Sequence, residues 1–172
     1  MIGPVKVYQI YYGNWSPPKT CLPILSTISP SSAYFNIEKE YYHIRQKQYV
    51  RGYISYSDNY SQGKNLTQNA IHNVVSSAIQ RNTLPSNPNV IYVVYTSPDV
   101  TLTAFVLACV AITPITKPIS TPSSATRQRN ALSTCSGNQY PRSPNGQFGA
   151  DAMISVLGHE PMEAISDPLI NA

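Results

Sequence analysis

The run Val5–Tyr12, VKVYQIYY, decides the fold. Valine, isoleucine and tyrosine favour a pleated, packed surface, and here they fill both alternating faces of the run. A strand that is apolar or aromatic on both sides belongs in the middle of a sheet, and the turn-prone pair Gly13-Asn14 ends it. A second apolar run, VIYVVY at Val90–Tyr95, is flanked by turn signals and predicts another buried strand. Tyr49–Tyr56 alternates instead, with Val50, Ile54 and Tyr56 on one face, and predicts a half-buried strand.

Helices are expected between these strands. Ser16 has the character of an N-cap with Pro17 at the first helical position, opening a helix through Leu22, Leu25 and Ile28 that Pro23 should shorten or kink. Ala33–Ile44 carries a stripe of Tyr34, Ile37, Tyr41 and Ile44. Thr67–Arg81 presents Ile71, Val74, Val75, Ala78 and Ile79 as a buried face. Residues 103–139 are crowded with Ser, Thr and Pro and show no period after Ile112, which predicts a poorly ordered segment. The order implies a single mixed α/β domain over 1–172, a short central sheet flanked by helices, with a zincin-like variant included in that expectation.

Composition narrows the function classes. The 172 residues carry 12% charged and 42% hydrophobic side chains, a net charge of +4 and 15 prolines. Charge is about half the usual share, so the surface is loop-rich and held by neutral polar groups. Lys and Arg are scattered without a run, which excludes a nucleic-acid footprint. The longest apolar run, Phe105–Ile112, falls far short of the ~20 residues that cross a bilayer. No basic n-region and apolar h-region precede the first strand. No P-loop, dinucleotide fingerprint or nucleophile elbow occurs. Oligomeric state has no signature.

Chemistry-capable side chains converge by spacing only near the end, in the amphipathic run Asn145–Ala172. Met153, Val156, Leu157, Ala164 and Ile165 form its apolar stripe, and Ser166, Asp167 and Pro168 close it. His159 and Glu163 are four apart, so imidazole and carboxylate can approach one point, as in the short zinc helices of metallopeptidases. Zinc is the ion such a pair would hold, and Glu160 is placed to act as general base on its water. Asp167 is the remaining candidate ligand, yet it lies about 12 Å along a straight helix from His159 and could join only if the chain folds back at Pro168. Pro161 opposes the geometry, since an internal proline costs about 3 kcal/mol and kinks a helix. The plainer alternative is a helix-end His–Glu contact with solvated carboxylates. His43 and His72 are isolated and read as ordinary surface residues, and Ser155 and Ser166 lie near His159 without supporting context.

GADAMISVLGHEPMEAISDPLINA at 149–172 resembles the closing motif of the EXORDIUM, or phosphate-induced protein 1, family. GPVKVYQIYYGNWS at 3–16 resembles that family's first strand and turn, and YSDNYSQGKNLTQNAIHNVV at 56–75 with IYVVYTSPDV at 91–100 gives a third match in the same order. The resemblance implies a secreted protein with an extracellular role in growth or at the cell wall, without demonstrated catalysis, and a fungal-type or truncated member. Its partners would be a cell-wall glycan or an extracellular protein. It further implies that a signal peptide and a C-terminal part, with more acidic residues, are missing here, so a metallopeptidase-like activity would be lost in this form. Pro161 stands where the family carries a leucine-like residue, and 103–139 does not match the family's cysteine-, aromatic- and glycine-containing strands. Either that segment is read in a shifted frame or it is a diverged surface loop.

Three features bear on the compartment. Cys21, Cys109 and Cys135 contain no C-x-x-C; in an oxidising compartment Cys109 and Cys135 would pair, and otherwise all three are thiols. Asn14, Asn59 and Asn65 each begin an N-x-S/T triplet compatible with a secretory route. The tyrosines at 8, 11, 12, 41, 42, 49, 53, 56 and 60 invite glycan stacking, although core and interstrand packing explains most of them.

Overall fold

The computed structural model describes residues 6–15, 53–87, 90–97, 99–102, 111–112 and 119–121, together with Ala33, Asn36 and Met162. β1 (Lys6–Tyr12) lies between β2 (Tyr53–Asp58) and β4 (Val90–Thr96), parallel to both. Its position follows from the two apolar faces read in the sequence, because only a strand flanked in-plane and covered on both sides can bury every residue from Val7 to Tyr12. β4 is buried along its whole length for the same reason.

Between β2 and β4 run the short β3 (Asn65–Leu66) and α1 (Gln68–Gln80). Thr67 caps α1, its hydroxyl accepting from the Ala70 N–H at 3.2 Å, a contact worth about 1 kcal/mol. α1 buries Ile71, Val74, Val75 and Ala78 against Tyr8, Ile10 and Tyr12 of β1 and Val90, Tyr92 and Val94 of β4. These strand residues share one parity, hence one face of the sheet. Register pairs Tyr8 with Tyr92, and their rings meet edge to face at 5.6 Å.

The opposite face is also buried but carries a polar residue. Gln9 is fully enclosed; its amide donates to the Tyr95 hydroxyl and accepts from the Tyr11 hydroxyl, both at 3.2 Å. A buried amide without such partners would cost several kcal/mol, so the tyrosines are what permit a glutamine in the central strand. Tyr11 and Tyr95, also paired by register, stack at 5.1 Å. Core packing therefore accounts for Tyr8, Tyr11, Tyr12, Tyr92 and Tyr95, while Tyr56 and Tyr60 are only partly buried.

Several expectations change. The second strand runs on to Asp58 rather than ending at Tyr56, because pairing with β1 continues to Tyr12↔Asp58. Ile54, expected on its buried face, is 43% exposed. The 103–139 stretch contains β6 (Ala111–Ile112) and β7 (Ile119–Thr121), which pair with β4, antiparallel and parallel respectively. Immediately before it, β5 (Thr101–Leu102) pairs with β3. The architecture is thus mixed α/β with a small, mainly parallel sheet; a zincin-like form has no support among the described residues. The helices expected at 16–28 and 33–44 lie outside the described residues, except that Ala33 and Asn36 are helical.

Candidate functional site

β1, β2 and β4 run in one direction, so their carboxyl ends form a common rim. The chain passes from β1 to β2 on one side and then to β4 on the other. The strand order therefore reverses between β1 and β4, the place where open α/β sheets accept ligands.

Gly13 is the hinge of this rim. Its N–H donates to the Asp58 carbonyl at 2.8 Å, and the Ser97 N–H donates to the Tyr12 carbonyl at 2.9 Å, extending the ladders one step past the strands. Gly13 has φ +94°, and a Cβ there would run into the Ser97 hydroxyl, so glycine is required on two counts. The next residue, Asn14, donates its backbone N–H to the Tyr60 hydroxyl at 2.9 Å.

Tyr60 passes that connection on. Its hydroxyl donates to Asp99 Oδ2 at 2.8 Å, Lys64 Nζ donates to the same oxygen at 2.7 Å, and Ser97 Oγ donates to Oδ1 at 2.6 Å. The Lys64 ammonium also stands 4.9 Å from the centre of the Tyr60 ring. One carboxylate thus ties together the loops that follow β1, β2 and β4. Tyr60 itself has φ 55°, unusual for a bulky side chain. The Ser61 turn holds it there: Ser61 N–H and Oγ donate to the Asp58 carboxylate at 2.8 and 2.7 Å. The Tyr12 hydroxyl completes the turn, donating to the Gly63 carbonyl at 2.7 Å and accepting from the Gln62 N–H at 2.8 Å. On the other face of the sheet, Trp15 Nε1 is shared between the Tyr12 and Tyr95 carbonyls at 3.2 and 3.3 Å, and its ring meets Tyr11 edge to face.

The electrostatics follow from these contacts. Hydrogen bonds from Lys64, then Ser97 and Tyr60, hold the Asp99 carboxyl far below the usual carboxylate range. The same contact raises Lys64, and burial pushes the Tyr12 phenol up. An acid so firmly ionised cannot carry a proton near neutral pH. Around this carboxylate stand the half-exposed Trp15 and Tyr60 rings and the exposed side chains of Asn14 and Asn59.

A lowered folded-state pKa means that Asp99 contributes stability above its unfolded value near 4 and loses it as pH falls toward the folded one. Asp99→Asn should therefore lower the urea midpoint at pH 7, with the gap to wild type narrowing below about pH 4. The ion pair is exposed, 61% at Lys64 and 39% at Asp99, so solvent screening keeps the effect small. A gap that did not vary with pH would assign the loss to shape alone.

The candidates His159, Glu160, Glu163 and Asp167 lie outside the described residues. Within their run, Met162 is described; it is helical and buried. Among the described residues no three His, Cys, Asp or Glu side chains form a group that could hold a metal ion. His72 is half-buried on α1, where burial lowers its pKa, and His43 lies outside the described residues. Sequence reasoning offered Tyr60 only among the candidate stacking tyrosines and passed over Lys64, Ser97 and Asp99, although all four fall within the 56–75 and 91–100 blocks. A Ser-Pro-Asp turn directly after a buried strand was the available signal.

No described helix is long and apolar enough to cross a membrane. No solved structure matches the chain. Protein EXORDIUM-like 5 of Arabidopsis thaliana is 32% identical over 204 residues, covering 99% of this chain and 56% of that protein. Protein EXORDIUM-like 3 of the same plant is 28% identical over 200 residues, covering 98% and 59%. The chain thus spans little more than half the length of these relatives. The phosphate-induced protein 1 conserved region matches residues 1–172, and the chain belongs to that family, the EXORDIUM-like proteins.

Proposed function

We propose that this protein acts outside the cell, in growth or at the cell wall, by binding rather than by catalysis. The family match across residues 1–172 carries the reading. The rim supports a binding role: its one firmly ionised carboxylate is fully engaged by donors, and its half-exposed rings offer faces to a wall glycan or an extracellular protein. The test is to express the full gene product with a fluorescent tag in leaf epidermis and plasmolyse the cells. Fluorescence left in the wall space is the expected result; fluorescence that retracts with the protoplast overturns the reading.

A second reading, a zincin-like metal-dependent hydrolase, is motivated by the His159-Glu160-x-x-Glu163 sequence pattern. His159 and Glu163 would hold zinc, Glu160 would serve as base, and Asp167 would complete the ligands if the chain returns at Pro168. Zinc content of purified protein should then fall at least tenfold in His159→Ala. Equal zinc in both proteins removes this reading and leaves the first intact.

A further inference from the structure

We propose that Asn59 and Asn65 are N-glycosylation sites that stand on either side of the Ser61–Lys64 turn of the rim. The inference rests on the extracellular reading above, since only the secretory route supplies the sugar donor. Each asparagine begins a triplet with a hydroxyl residue two positions on and no proline between, Asn59-Tyr60-Ser61 and Asn65-Leu66-Thr67.

The fold decides whether such triplets can be used, because a glycan is large and solvated and must leave from an exposed side chain. Asn59 is exposed while its neighbours turn inward: Asp58 is 4% exposed, and Tyr60 is held by Asp99. Asn65 is exposed because it occupies the outward position of β3, whose other residue, Leu66, is buried in the core. Among the described residues neither side-chain amide has a hydrogen-bond partner, whereas Asn73, outside any triplet, reaches Gln62. A sugar on either displaces no contact described above. Asn14 begins a third triplet on the rim, whose Ser16 lies outside the described residues.

The step is a displacement at carbon. The donor is an oligosaccharide linked through pyrophosphate to a lipid, and an oligosaccharyltransferase of the host catalyses the transfer. The asparagine amide nitrogen attacks C1 of the first sugar, a C1–N bond forms, and the C1–O bond to pyrophosphate breaks. The lipid pyrophosphate leaves with the electron pair, and the nitrogen gives up one proton to the transferase.

The usual way to delete such a site, removing the hydroxyl, would mislead here. Ser61 Oγ donates to Asp58 and Thr67 Oγ1 caps α1, so their loss would disturb the fold as well as the triplet. Asn59→Gln and Asn65→Gln change only exposed amides.

The experiment expresses the 172-residue chain, with Asn14→Gln, behind a secretion leader in eukaryotic cells. Cell lysate and medium are pooled and treated with a peptide N-glycanase in heavy-oxygen water. Two increments of mass should be removed, one lost in N59Q, one in N65Q and both in the double variant. Peptide mass spectrometry should show each acceptor asparagine converted to labelled aspartate. The thermal midpoint of each deglycosylated single variant should match its parent. Chain whose leader has been cleaved but which shows no shift overturns the proposal, and a single increment overturns it for the silent site. Because the leader guarantees entry, this failure is separate from failure of the plasmolysis test.

Discussion

Gly13→Ala is expected to destabilise the fold by about 3 kcal/mol, although it adds one methyl group at the surface end of a strand. Two costs combine. A side chain at φ +94° adopts a backbone conformation that costs an L-residue on the order of 1–2 kcal/mol. The added Cβ would also meet the Ser97 hydroxyl, with Ser97 Cβ and Tyr60 Cε1 each at 3.1 Å, and overpacking of that kind costs about 1–3 kcal/mol. For a domain of this size the sum lowers the melting temperature by ~10 °C. Ser97→Gly separates the terms. In that background Gly13→Ala should recover about 1–2 kcal/mol as the nearest obstruction disappears, leaving the backbone strain. Additive effects in this cycle would show that Gly13 is needed for conformation alone.

The second large effect is placed in the core. Ile10 is fully buried in the middle of β1, between β2 and β4 and under α1. Ile10→Ala removes several methyl and methylene groups where neighbours on both flanking strands are pinned by backbone hydrogen bonds and can collapse little. The loss should be about 3–4 kcal/mol, and Ile10→Val should cost about 1 kcal/mol. Ile54→Ala on β2 is the control. That side chain is 43% exposed, so its loss should stay within about 0.5 kcal/mol. Equal urea midpoints for I10A and I54A would refute the placement of β1 at the centre of the sheet.

Both experiments rest on features that differed in how far they could be read beforehand. β1 and β4 were legible because a strand buried on two faces must be apolar at both parities, and only the chain order is needed to see that. α1 was legible for a related reason: Ile71, Val74, Val75 and Ala78 repeat at helical spacing, whereas the cap at Thr67 emerged only from the structure. β6 and β7 were not. Two- and three-residue strands carry no period, and Ala111–Ile112 and Ile119–Thr121 become strands through the edge of β4 that they pair with.

The site shows the same division. His159 and Glu163 were proposed from the sequence because four-residue spacing sets side chains on one helix face, whereas the loop holding Ser97 and Asp99 meets Tyr60 and Lys64 from the loop after β2, more than thirty residues away in the chain. From the residues alone come the family, the central strands, the helix near Thr67–Arg81 and the three glycosylation triplets, all of them local patterns. Tertiary structure alone decided that Asn14, Tyr60 and Asp99 meet on one rim, that Ile54 faces out, and that Gly13 has no room for a side chain. The reason is that parallel strands joined by long crossovers bring their carboxyl ends together in space while leaving them dozens of residues apart along the chain.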